Sequence, residues 1–458
     1  MPVFITRTIS MGMHIVIAGA GDMGYHLAEQ LSYDNKDITL IDTEREVLDY
    51  VSSKLDVLTV LGDATSIEIL QRANVTNASM VLAVTTSEKT NIVAAVLAKQ
   101  LGAKRVMARV RNHSYLNPEN VNYFQNLGID NLISPTMLCS REIFNMIQNS
   151  SFTEVFDFGG GKLNIVGVTL DQFNPLVNQR IMDMKTNPIF EDIRIIAILR
   201  DQKTIIPRGS TIIRNSDHVF FISNKKHTES ILELIGQEKR EVKNIMIIGG
   251  DDMALTTALK LENHFRVTLV NKDKERCKWL AENLPNTLII NGDYKNIELL
   301  IEEGLEQMDA FLALTESSET NIITSLSAKN HGVYKTIAHV DTREYIHISH
   351  SIGVDSLINK KLVAANEISR YLKKGTVEAV SGIYGVDAEF IQYSVCKNNR
   401  LTKNALKDLH FPDTAIVAGV IRGEEVFIPD GDFQLQLNDK AIVLALPQAK
   451  GSLDKLFH

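Results

Sequence analysis

The sequence predicts an α/β chain built by duplication: two doubly wound parallel-sheet domains, each followed by a small α+β domain. Three observations carry that prediction. Short β-branched runs alternate with helical patterns over residues 13–150 and again over 238–374. A complete G-x-G-x-x-G joins the first strand to the first helix. Residue identities then recur at fixed offsets through both halves of the chain.

The first half opens on an apolar run, residues 15–18, of strand length. Gly19-Ala20-Gly21-Asp22-Met23-Gly24 follows, then a helical pattern with Tyr25, Leu27, Ala28 and Leu31 on one side. The next strand, 38–41, ends at Asp42 and Thr43, and Asp42 lies 18 residues past Gly24. Strand, glycine turn, helix, strand and acid in that order make the Rossmann dinucleotide-binding pattern. Gly19 allows the tight turn, Gly21 lets backbone approach a pyrophosphate, and Gly24 lets the helix pack close to the sheet. The helix N-terminus offers N–H groups and positive dipole charge to phosphates. Asp42 would accept hydrogen bonds from ribose hydroxyls and repel a 2′-phosphate. NAD, or an adenine nucleotide with a free ribose, is therefore favoured over NADP.

The alternation continues. A strand at 57–61 ends at Gly62-Asp63, a helix at 66–72 follows, and a strand at 80–84 ends at Thr85-Thr86. A helix at 90–101, strands at 105–110 and 131–133, and a helix at 134–148 close the unit. Asp63, Thr85, Thr86 and Arg109 fall at or near strand carboxyl ends, where doubly wound sheets hold ligands. A guanidinium such as Arg109 can grip phosphate oxygens in bidentate fashion; the alternative is a surface ion pair. The texture then changes over 162–223, where short strands are punctuated by Pro207, Gly209 and Asp217 after a Gly159-Gly160-Gly161 link.

The same order then repeats. Gly62-Asp63 falls on Gly292-Asp293, Thr85 on Thr315, Thr90-Asn91 on Thr320-Asn321 and Tyr115 on Tyr345, a shift of 230. In the small domains Arg200 meets Arg422, Pro207 meets Pro429, Gly209 meets Gly431 and Asp217 meets Asp439, a shift of 222. Domain boundaries are expected at 1–12 (an N-terminal extension), 13–150, 151–237, 238–374 and 375–458. The second copy has changed at its ligand positions. Its glycine turn reads Gly249-Gly250-Asp251-Asp252-Met253-Ala254, Asn271 replaces Asp42, and His339 replaces Arg109. Asp251 should repel a pyrophosphate, whereas Asn271 could still bond a ribose. Gly249, Asn271, Asp293 and Thr315 are the corresponding candidates for a second nucleotide site.

Composition narrows the function classes. The 458 residues carry a net charge of −8, 44% hydrophobic and 23% charged residues, with no basic stripe of a nucleic-acid binder. No apolar run approaches the ~18 residues that span a bilayer. The opening dozen residues lack a signal-peptide pattern, so any membrane role is expected to come through a partner. Cys139, Cys277 and Cys396 are scattered, suit a reducing cytoplasm, and read as buried thiols. His339, His347 and His350 form a histidine-rich run, but no cysteine or grouped acid completes a metal site. An NAD-dependent oxidoreductase would need an acid/base group poised at the nicotinamide. No histidine lies between Lys162 and Asp217, and His218 and His227 are isolated, so neither catalytic nor metal residues are expected.

The duplicated layout, GAGDMG, Gly62-Asp63, the run Thr85-Thr86-Ser87-Glu88-Lys89-Thr90-Asn91 and Ala108-Arg109-Val110-Arg111 carry a resemblance. From about Met13 onward the chain resembles the TrkA-type regulatory subunits of bacterial Trk potassium-uptake systems. Its Rossmann halves are similar to RCK (KTN) N-terminal domains, and its small modules to RCK C-terminal domains. The resemblance implies binding of NAD(H), or of ATP or ADP, and assembly as a homo-oligomeric ring, a tetramer. It also implies docking on the cytoplasmic face of an integral-membrane potassium transporter subunit of the TrkH/TrkG kind. Carried across by position, it puts phosphates on Gly19, Gly21 and Gly24 and the ribose on Asp42. Asp63 and Ala64 come beside the adenine, Thr85, Thr86 and Glu88 along the cleft, and Arg109 on a phosphate. The helix over 134–148 matches the segment that crosses between partners in the family, with 361–372 as its counterpart. The competing readings are the oxidoreductase, a stand-alone nucleotide sensor, and small modules that sense a ligand while the Rossmann halves serve as scaffold.

Overall fold

A computed structural model describes all residues except 1–12, 33–36, 159–160, 185–186, 202, 239, 342–352, 373–376, 383–387, 398 and 458. Tyr345, His347, His350 and most of the Gly159–Gly161 link therefore lie outside the described residues. The chain forms two compact units, one of residues up to 138 together with Lys360–Leu372, the other of the remainder.

In the first unit, strands β1 (His14–Ala18), β2 (Asp37–Asp42), β3 (Leu58–Leu61), β4 (Met80–Ala83), β5 (Val106–Arg109) and β6 (Asn131–Ile133) make one sheet. Its order is β3-β2-β1-β4-β5-β6, and every pairing is parallel. Strand direction of build reverses between β1 and β4, which opens a crevice at their carboxyl ends. Alternate residues of β1 serve opposite faces. Ile15 and Ile17 pack with Leu27, Leu48 and Val51, whereas Val16 and Ala18 pack with Leu70, Ala94, Ala95 and Ala98. The first face is completed by Ala364, Ala365 and Ile368 of the helix Lys360–Leu372. Their small or branched side chains let that helix lie close against the helix Asp22–Ser32. The helix Pro118–Asn126, absent from the sequence reading, starts with Pro at its first turn after Asn117.

In the second unit, β7 (Glu154–Phe158), β8 (Leu163–Thr169), β9 (Ile193–Arg200), β10 (Lys203–Ile205) and β11 (His218–Asn224) form an antiparallel sheet ordered β10-β9-β11-β8-β7. A second parallel sheet follows, from β12 (Asn244–Ile248), β13 (Arg266–Asn271), β14 (Thr287–Asn291), β15 (Ala310–Ala313), β16 (Lys335–His339) and β17 (Ser356–Ile358). Its order, β14-β13-β12-β15-β16-β17, reproduces the first. Finally β18 (Val377–Gly382), β19 (Glu389–Ser394), β20 (Ala415–Arg422), β21 (Glu425–Phe427) and β22 (Lys440–Ala445) repeat the small sheet as β18-β19-β22-β20-β21. Both small sheets keep a bidentate pair at matching places, Arg200 with Asp217 and Arg422 with Asp439. Their apolar faces share one core, in which Phe158 meets Phe390 edge-on at 5.6 Å.

Two details depart from the sequence reading. Residues 139–148 of the helix Pro135–Gln148 belong to the second unit, where Ser140 donates to the Thr256 carbonyl and Phe144 packs on His264 and Phe265. The cysteines also differ: Cys139 and Cys277 are buried, but Cys396 is exposed, in the irregular chain that follows β19.

Candidate nucleotide site

The first crevice is shaped by its glycines. Gly19 has φ +104°, and a Cβ there would lie 2.8 Å from the Thr85 amide nitrogen, so the turn can pass β4 only as glycine. A Cβ on Gly24 would stand 1.7 Å from the Gly19 carbonyl oxygen, which fixes the helix against the turn. Gly21 differs: a Cβ there would meet nothing within 4 Å. This is the position where backbone needs open space in front of it to receive a phosphate. The turn is tied to its neighbour strand, since Gly19 N–H donates to the Ile41 carbonyl and Ala20 N–H to Asp42 Oδ2 at 2.6 Å. Asp42 Oδ1 accepts from Glu44 N–H, so the carboxylate is oriented before any ligand arrives.

The flanking strand ends are organised by side chains that hold backbone. Asp63 accepts from the Thr65 amide and hydroxyl, and these bonds hold its carboxyl below the usual carboxylate range. Buried Asn91 accepts from Thr85 N–H at 2.8 Å and donates to the Thr85 and Arg109 carbonyls. It thereby pins the ends of β4 and β5 together. Glu88 Oε2 accepts from Arg111 and Asn112 N–H at 2.9 Å each, and the Asn112 bond is the main reason its carboxyl is shifted down.

Arg109 is the electrostatic anomaly. It lies largely buried at the carboxyl end of β5, and burial, with the like charge of Arg111 beside it, pushes its guanidinium below the ordinary value. No carboxylate pairs with it among the described residues. A desolvated cation without a counter-ion is costly unless an anion arrives to pair with it.

The other sequence candidates fall into three groups. Gly62 has φ +155° and donates to the Asp42 carbonyl, closing the strand end beside Asp42. Ala20, Met23 and Ala64 turn their side chains into the core, which leaves only their backbone for a ligand. Asp22, Thr43 and Thr86 are exposed at the crevice rim, with Asp22 3.0 Å from Lys361 Nζ. Asn91 was missed as a site residue. Its signal, an asparagine repeated in both halves beside the strand-end threonine, was present only as a marker of the duplication.

The second copy keeps the scaffold and changes its chemistry. Asn321 repeats Asn91, donating to the Thr315 and His339 carbonyls. Gly249 has φ +129°, as its place in the turn requires. Asp251 Oδ1, however, accepts from Met253 and Ala254 N–H at 3.0 Å. Asn271 donates to the Gly249 carbonyl and accepts from Asp273 N–H, and Asp293 caps Lys295 N–H. No group of three or more His, Cys, Asp or Glu side chains with metal-binding geometry occurs among the described residues. Nor is any described helix long and apolar enough to cross a membrane.

Comparison with known proteins gives consistent findings. The TrkA-N domain matches residues 15–135 and 245–360, and the TrkA-C domain matches 165–236 and 390–458. The chain is 34% identical over 446 residues to the Trk system potassium uptake protein TrkA homolog of Archaeoglobus fulgidus, covering 97% of this chain and 100% of the relative. Against the Trk system potassium uptake protein TrkA of Haemophilus influenzae the identity is 32% over 453 residues, covering 97% and 98%. Among solved structures, the GsuK RCK domain aligns with a TM-score of 0.60 at 15% identity, covering 98% of this chain and 96% of that one. The GsuK channel bound to NAD aligns equally well, covering 98% and 79%. At these identities the structural likeness establishes a shared RCK fold. The chain belongs to the TrkA family of Trk-system potassium uptake proteins, whose members are transport-system components and not enzymes.

Proposed function

With that membership as premise, we propose that the chain is a nucleotide-binding regulatory subunit that gates a membrane potassium-uptake transporter. Its first Rossmann crevice takes NAD(H), with ATP or ADP as the other adenine nucleotides suited to the same strand ends. The observation that carries the reading is Arg109, a largely buried guanidinium without a carboxylate partner among the described residues, in the same crevice as the open space at Gly21. Phosphates would sit on the turn Gly19–Gly24, the ribose on Asp42, the adenine beside Asp63, and Arg109 with Thr85 and Thr86 toward the far end.

The chain then works by binding energy alone. A nucleotide that binds one arrangement of the crevice better shifts the population toward it, by no more than its differential affinity. A homo-oligomeric ring, a tetramer, passes that change to an integral-membrane TrkH/TrkG-like partner at the cytoplasmic face of the cell membrane. The relatives named for potassium uptake support this placement, as does a fold shared with the GsuK channel bound to NAD.

The test is potassium or rubidium uptake in cells lacking this chain, complemented with wild type or Gly21→Glu. Restored uptake with wild type and misregulated uptake with the variant is the expected result. Uptake that is untouched by deletion would remove the transport reading.

A further inference from the structure

We propose that the second Rossmann crevice is closed by its own side chains and takes up no nucleotide, so each chain senses one nucleotide, through its first half. The inference rests on the reading of the first crevice given above. Four positions carry it, and at each the second copy supplies internally what the first leaves for a ligand.

The phosphate position comes first. Gly21 leaves the start of its helix without a side-chain cap and faces open space. Its counterpart Asp251 places a carboxylate oxygen 3.0 Å from both Met253 N–H and Ala254 N–H. These are the donors that a pyrophosphate would use at a helix N-terminus. An incoming phosphate would have to displace one anion while approaching it closely.

The ribose position is inverted. Asp42 accepts from Ala20 N–H, whereas Asn271 donates its amide to the Gly249 carbonyl at 2.9 Å. Asn271 is buried, and a Cβ on Gly250 would stand 2.0 Å from its Nδ2, so the amide fills the space over the turn. Both its hydrogen-bonding ends are engaged, the oxygen by Asp273 N–H at 2.8 Å. Little of the side chain remains to hold a ribose.

Two further positions finish the closure. Arg276 donates from Nε to the Gly250 carbonyl at 2.6 Å and stacks on Trp279 at 4.2 Å. At the end of β16, where the first copy keeps Arg109, buried His339 has Asp341 Oδ1 3.5 Å from Nε2 and the Thr315 carbonyl 3.3 Å from Nδ1. Among the described residues, the uncompensated charge that invites an anion into the first crevice has no counterpart in the second.

Calorimetric titration of the full chain with NADH, and separately with ATP, tests this. One equivalent per chain is expected, lost in Gly21→Glu, whose side chain enters open space and leaves the fold intact by circular dichroism. Two equivalents on wild type, falling to one in Gly21→Glu, would overturn the inference while upholding the first crevice. One equivalent that survives Gly21→Glu would overturn both, and so would a failure to bind either nucleotide. Asp251→Ala gives an independent reading without ligand: the melting temperature should fall, because a helix cap is lost. An unchanged melting temperature would overturn the closure.

Discussion

The side-chain amide of Asn91, on the helix Glu88–Gln100, donates to the backbone carbonyl of Arg109 at the end of β5 at 2.9 Å. The same side chain holds both the amide and the carbonyl of Thr85. One buried residue therefore sets the spacing of two strand ends that frame the proposed nucleotide crevice. Leaving such backbone groups unpaired costs about 1–3 kcal/mol for each buried donor or acceptor. Asn91→Ala should lower stability by a few kcal/mol of that order and weaken nucleotide binding, although Asn91 need not touch the ligand. Asn91→Asp, which retains one acceptor oxygen but loses the donor, should show an intermediate loss. Chemical denaturation beside NADH titration checks this, and full affinity in Asn91→Ala would sink the positioning role.

Arg109 should behave oppositely in the two assays. Its guanidinium is desolvated and, among the described residues, faces the like charge of Arg111 rather than an acid. Replacing a poorly compensated buried charge by an apolar side chain of similar length is often neutral or stabilising. Arg109→Met should therefore leave the melting temperature of the free chain unchanged or higher, while the stabilisation by saturating nucleotide shrinks. A charge-assisted phosphate contact is worth roughly 1.5–3 kcal/mol, or on the order of ten- to a hundredfold in affinity. Thermal melts with and without NADH separate the cases. A marked loss of stability without ligand would make Arg109 a structural residue.

Asp42 is oriented by the turn it serves. Its two carboxylate oxygens accept from Ala20 and Glu44 N–H. Asp42→Asn should keep the shape and much of the turn geometry while removing the charge. NADH affinity should fall about tenfold or more, as for loss of a charged hydrogen bond of roughly 1.5–3 kcal/mol. Calorimetry reads the loss directly, and unchanged affinity would remove Asp42 from the ribose position.

How far the sequence carried this site depends on why each residue is there. Gly19 and Gly24 were legible because backbone geometry leaves no other residue room at a Cβ 2.8 or 1.7 Å from neighbouring backbone atoms. The doubled sheets were legible because periodicity and two offsets of identity survive divergence. Asn91 was not recognised as part of the site, since an asparagine in a helix has no spacing rule that says which carbonyls it will reach. The packing of the helix Lys360–Leu372 onto the helix Asp22–Ser32 was equally hidden, because an amphipathic stripe says that a face is buried and not against what. For Asp251 the sequence predicts that a phosphate is repelled. It could not reveal that the carboxylate caps the very N–H groups a phosphate would use.

Glu88 gives a pH dependence with a defined sign. Bonds from Asn112 and Arg111 N–H hold its carboxyl below the ordinary 4.5, against a smaller opposing effect of burial. The folded chain thus binds this proton less readily than the unfolded chain. Its contribution to stability is fully present above about pH 4.5 and is lost as pH falls through the lower folded value. Glu88→Gln should therefore be less stable than wild type at neutral pH, with the difference narrowing on acidification. Parallel melts across that window test it, and a difference independent of pH would argue that the amide alone accounts for the loss.

The helices that end the two Rossmann halves are held by cations at equivalent strand positions. Arg105, just before β5, donates to the Tyr371 carbonyl at 2.9 Å and lies over the Tyr371 ring at 5.5 Å. Lys335, at the start of β16 and almost fully buried, donates to the Phe152 carbonyl at 2.6 Å. Each cation satisfies a backbone oxygen: that of Tyr371 in the last turn of the helix Lys360–Leu372, where carbonyls lack intrahelical partners and the dipole is negative, and that of Phe152 in the chain beyond the helix Pro135–Gln148. Lys335→Met retains most of the length and removes the charge and donor, leaving the Phe152 oxygen without this partner. That should cost about 1–3 kcal/mol. Nucleotide affinity should remain at the wild-type value, because Phe152 and Lys335 belong to the second unit and the proposed crevice to the first. Arg105→Met should cost a similar amount but within the first unit, where it loosens the helix packed against Asp22–Ser32. It should therefore weaken NADH binding as well. Equal binding losses in the two variants would show that these helices do not serve their units separately.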